Sequence, residues 1–170
     1  DFDRDIAFGF FVQAFADHPS SRAQPVVLAL SSGLMRRLGR SDDAIALAGA
    51  SLASGQTTFG YSALGLAHRA AGDWDAAVDA FTTAGSFEPT DPSYPSERGR
   101  ALWNAGKFAE ATEAFAEGLA LGDGDNEAAM SHDYVASKAG LPTGDDPAWL
   151  LRWLGDDAQP DDIRHLVTPM

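Results

Sequence analysis

Aspartates stand side by side at Asp42 and Asp43, Asp145 and Asp146, Asp156 and Asp157, and Asp161 and Asp162. Adjacent carboxylates suit general acid and base chemistry. Each pair, however, sits just ahead of a segment with helical spacing, where a carboxylate caps free backbone N–H groups, so the pairs read as helix starts. DGDNE at 123–127 opens like a calcium loop, but no glycine follows at the sixth place and Tyr134 falls where the closing glutamate belongs. His18, His68, His132 and His165 are scattered, and His68 and His132 fall on a packing face, so they read as core or edge histidines rather than ligands. No GxSxG turn accompanies the serines, and no glycine-rich phosphate loop occurs. With no cysteine, disulfides, thiolate metal sites and thiol catalysis are excluded. No catalytic residue, metal site or cofactor is expected.

The remaining candidates are cations and aromatics, and the bulk composition limits what they can hold. The formal net charge is −13 and the hydrophobic content 45% over 170 residues, enough for one buried domain or a short repeat array. Such a charge argues against nucleic acid and anionic membrane surfaces, both of which draw affinity from clustered Lys and Arg. The apolar run PVVLAL at 25–30 is far below the roughly 18 to 20 residues that span a bilayer. A cytoplasmic location is the expectation. Basic residues are nearly all arginine, with Lys107 and Lys138 as the lysines, a bias that points to a GC-rich bacterial genome. The chain begins at Asp1 without methionine and reads as a trimmed chain or the ordered part of a longer one.

The elements that position these residues declare themselves by repetition. AGDWDAAVDAF at 71–81 and AGKFAEATEAF at 105–115 are 34 residues apart with glycine, aromatic, alanine and phenylalanine in register. Trp74, Ala77 and Phe81 share one helical face, as do Phe108, Ala111 and Phe115. Upstream, YSALGLAHRAAG puts Tyr61, Leu64, Gly65 and His68 on another helical face that ends at Gly72, a residue suited to a left-handed C-cap. Each unit is helix, tight turn, helix.

Residues 58–91, with Tyr61, Leu64, Gly65, His68, Gly72, Trp74, Ala77, Phe81, Ala84 and Pro89, resemble the tetratricopeptide repeat. Residues 92–125 follow the same frame through Gly99, Leu102, Gly106, Phe108, Ala111, Phe115 and Gly118; 25–57 form a more degenerate copy with Ser32 at the small-glycine position; 3–19 resemble the back half of another repeat. The resemblance implies an all-α fold, a right-handed superhelical stack of antiparallel helix pairs over 1–140, with 126–140 as a capping helix. Residues 141–170 read as a C-terminal extension with one or two short helices.

In this family the first helices of successive repeats line a concave groove. The frame of residues 58–91 then places Arg36, Arg37, Arg69, Arg100, Trp103, Asn104, Tyr134 and Lys138 on or near that face. Arginine offers bidentate pairing to carboxylates and the aromatics offer apolar anchors, which fits an acidic peptide segment. The competing account is that these cations compensate helix dipoles in last turns. Some family members clamp a terminal carboxylate with lysines and asparagines; here Gly33, Ala63, Leu66 and Glu97 stand near the asparagine positions, so the resemblance does not extend to that class. Trp149 and Trp153 form an apolar pair for sealing the stack's end or docking a partner or second copy. The functional expectation is a noncatalytic peptide- or protein-binding scaffold. The alternatives are a regulatory or targeting region of a larger enzyme, or a self-assembling scaffold.

Overall fold

Five described glycines take positive φ, and besides Gly122 they stand at nearly constant intervals: Gly39 (76°), Gly72 (84°), Gly106 (74°) and Gly140 (69°). L side chains rarely adopt this conformation, and glycine adopts it without a Cβ penalty. At each of these four the glycine N–H donates to the carbonyl three residues back and the next N–H to the carbonyl five back of its own position, as in Gly72 to Arg69 (3.2 Å) and Asp73 to His68 (2.9 Å). That double bond closes a helix and sends the chain onward.

The computed structural model describes residues 2–18, 20, 24–122 and 126–141. Among them there are eight α-helices and no strand: α1 (Phe2–Asp17), α2 (Pro25–Arg37), α3 (Ser41–Ser54), α4 (Thr58–Ala71), α5 (Trp74–Phe87), α6 (Ser93–Asn104), α7 (Phe108–Ala120) and α8 (Asn126–Lys138). Neighbours in sequence pair, α2 with α3, α4 with α5, α6 with α7, and α7 with α8. The all-α reading of the sequence is the fold observed. The chain divides into two compact units, one ending at Phe87 and the other beginning at Glu88.

In the first unit α3 also packs on α4, and α2 on α4, so the two leading helices lie side by side. Its core holds Met35, Ala44 and Ala67, with Phe8 and Phe11 of α1 and Leu38, Ile45 and Leu47 packed against them. α1 also leaves Phe10 73% exposed. Within α4–α5 the closest approach is Gly65 on Phe81: a Cβ at Gly65 would lie 2.8 Å from the phenylalanine ring. The second unit repeats this contact 34 residues on, with Gly99 against Phe115 at 3.0 Å. In α2–α3 the register instead pairs Ser32 with Ala48, a larger residue for the glycine and a smaller one for the phenylalanine, and both are buried. The Ser32 hydroxyl donates to the Ala44 carbonyl at 2.7 Å, which satisfies its burial.

The aspartate pair at Asp42 and Asp43 differs from the capping role expected of it. α3 begins at Ser41 with Arg40 at the N-cap position and no side-chain cap hydrogen bond, so both carboxylates lie inside the first turn. There they face the positive end of the helix dipole. Asp43 is also paired with Arg40 at 2.5 Å. The other three aspartate pairs lie outside the described residues.

Candidate functional site

Helix α2 starts with Pro25 at its first position, where a missing N–H costs nothing, and it is apolar on two faces. One face carries the buried Leu28, Ala29, Ser32 and Met35. The other presents Val26, Leu30 and Leu34 at intervals of four, and Leu30 is 60% exposed. Phe59 on α4 adds a ring that is 46% exposed. Between the two helices lies a cavity of about 280 Å³ lined by Ala29, Leu30, Gly33, Leu34, Arg36 and Arg37 from α2 and by Phe59, Ser62, Ala63 and Leu66 from α4. That is just under the ~300 to 1,000 Å³ usual for small-molecule pockets, and it suits one or two side chains.

Eight of the ten lining residues carry no charge; the other two are the arginines of α2's last turn. Arg36 is half-buried, and its Nε is enclosed with no hydrogen-bond partner. Arg37 is exposed. Three of the last four backbone carbonyls are already served, since Leu38 N–H donates to Leu34, Gly39 N–H to Arg36 and Arg40 N–H to Met35. Those three carbonyls need neither guanidinium.

The other expected groove residues have different surroundings. Arg69 stands half-buried in the last turn of α4 and is absent from the cavity lining. In the second unit, Arg100 is 8% exposed and paired with Glu97 at 3.1 Å. Asn104, one turn later, donates from Nδ2 to the Arg100 carbonyl at 2.9 Å. Trp103 and Tyr134 are enclosed, their rings 4.9 Å apart between centroids, and Lys138 Nζ sits 5.6 Å from the Tyr134 ring centre. Five residues chosen from spacing are thus brought together, but Arg100, Trp103 and Tyr134 lie inside the unit. Trp149 and Trp153 lie outside the described residues. His68 Nδ1 faces Asp73 at 3.4 Å and His132 Nδ1 faces Asp133 at 3.0 Å, each a local contact between neighbours.

Sequence reasoning missed Leu30, Leu34 and Phe59 as lining residues. Their signal was the four-residue interval of Val26, Leu30 and Leu34 beside a second apolar row on the same helix. Gly33, Ala63 and Leu66, noted there only as departures from an asparagine pattern, all face the cavity.

Helix pairs closed by a left-handed glycine and repeated at intervals of 33 or 34 residues define an α–α repeat protein. Residues 61–93 match the family model described as tetratricopeptide repeat. Among solved structures, MamA AMB-1 is similar, with a TM-score of 0.61, 20% identity, and coverage of 85% of this chain and 78% of that one. The likeness is one of fold. No curated protein matches the sequence. Among the described residues no helix is long and apolar enough to cross a membrane.

Proposed function

We propose that the protein is a noncatalytic interaction scaffold whose first unit holds a peptide segment of a partner protein between α2 and α4. Repeats of this kind supply a surface rather than a reaction, so the reading rests on the site and not on the fold alone. The observation that carries it is the cavity of about 280 Å³ bordered by Leu30, Leu34 and Phe59, large apolar side chains left in water beside a recess that nothing in the described chain fills. Exposed apolar residues that adjoin a recess in this way mark interaction sites. Arg36 and Arg37 give the partner a cationic border in the first unit. In the second unit, half-buried Asn104 and Lys138 are the members of the expected set that a partner reaches without displacing the enclosed Arg100, Trp103 and Tyr134.

The test starts from peptides enriched on the full chain out of a displayed random 12-residue library. A photoreactive amino acid at position 30 should cross-link to an enriched peptide, whereas the same group at the exposed position 82 on α5 should not. Labelling at 82 without labelling at 30 would remove the assignment.

A further inference from the structure

We infer that the segment held between α2 and α4 is acidic next to its apolar anchor, with its carboxylate received by Arg36 and Arg37. This rests on the groove reading above and adds the chemistry of the occupant. The chain has 25 Asp and Glu against 12 Lys and Arg, yet the cavity is lined by two arginines and no carboxylate. Local charge there is opposite to that of the molecule, so the recess attracts what the rest of the surface repels.

The two arginines also differ from others in the chain. Arg40 is paired with Asp43, Arg98 with Glu117 and Arg100 with Glu97. Arg36 and Arg37 have no carboxylate partner among the described residues, and Arg36 Nε is closed off from water with no acceptor. A carboxylate entering the cavity meets two lining guanidinium groups that no acidic side chain already holds, and it gains charge-assisted bonds there. Compensation of the α2 dipole explains two cations in a last turn. It does not explain why both cations line an otherwise uncharged recess, at a terminus where the Leu34, Met35 and Arg36 carbonyls already have backbone donors. The apolar remainder of the lining selects a polypeptide over a small anion, because Leu30, Leu34 and Phe59 gain only from side chains laid against them.

The experiment repeats the library selection on the full chain and on the Arg36→Gln/Arg37→Gln double variant, with unchanged thermal midpoint as the control for folding. The expected wild-type pool is enriched in Asp or Glu within a few residues of a bulky apolar residue, and the variant keeps the apolar enrichment while losing the acidic one. A synthetic peptide from the wild-type pool, amidated so that only side-chain carboxylates count, should bind about tenfold or more weakly after Glu→Gln replacement. On the double variant that replacement should make little difference. Equal binding of the Glu and Gln peptides to the wild-type chain would overturn the acidic preference and leave the groove reading intact. So would an acidic preference that survives in the variant, since the carboxylate would then be held elsewhere. Failure of the groove reading looks different: no pool is enriched, or the enriched pool binds equally well when Leu30 is replaced by Asp. Self-association that the double variant abolishes, with no peptide enriched, would make a second copy the occupant and also contradict the proposal.

Discussion

Two glycines inside leading helices, Gly65 of α4 and Gly33 of α2, have opposite roles, and contact distances separate them. A Cβ at Gly65 would meet the Phe81 ring at 2.8 Å, and that ring is 1% exposed and has nowhere to turn. Gly33 faces open space, with nothing within 4 Å of its Cβ position. Gly65→Ala is therefore expected to destabilise by about 1–3 kcal/mol through overpacking, whereas Gly33→Ala gains up to about 1 kcal/mol from helix propensity. Thermal unfolding of the two variants, with midpoints moving in opposite directions, is the check. A second prediction concerns Tyr94, whose phenol is pushed above its usual 10.0 by burial first and then by the negative charges of Glu88 and Asp91. The folded state holds that proton more tightly than the unfolded chain does, so its contribution to stability is intact below pH 10 and lost as the pH rises through the folded value. Tyr94→Phe should leave stability at pH 7 to 9 nearly unchanged and flatten the decline above pH 10, measured by denaturant unfolding across that range.

At the scale of elements, the helix pairs were legible because turn glycines and packing alanines recur at a fixed interval, and the interval is a property of the sequence. Gly72, expected as a left-handed cap from its place after the Tyr61 to His68 face, has φ of 84°. Replacing it with Ala imposes that conformation on a Cβ and should cost about 1–2 kcal/mol, seen as a lower urea midpoint with an unchanged slope. The candidate site was less legible. Spacing assigns a residue to a face of its own helix but does not say which helix covers that face. Spacing puts Trp103 and Tyr134 on the face that would anchor a partner, yet they close on each other across α6 and α8. Conversely, α2 is apolar around much of its circumference, so periodicity alone did not separate the buried Leu28 and Met35 from the exposed Leu30. The aspartates at 42 and 43 show the same limit at one residue's resolution, since a helix that starts at Ser41 puts them in the first turn rather than at the cap.

At the scale of the whole molecule, the proposal is that a net charge of −13 repels most anionic partners while the arginine-edged recess between α2 and α4 selects for a segment able to fill it. Raised salt should weaken an acidic peptide's binding while the apolar contribution stays, because screening acts on the exposed Arg37. The central claim is that the space between α2 and α4 is where a partner binds. Gly33→Leu tests it most directly: Gly33 lines the cavity and nothing lies within 4 Å of an added Cβ, on a helix that gains about 0.8 kcal/mol from losing a glycine. The dissociation constant of a library-selected peptide, measured for the wild type and for Gly33→Leu, is predicted to rise about tenfold or more in the variant while its thermal midpoint holds or increases. Equal affinity of the two proteins, with the variant fully folded, would contradict the account.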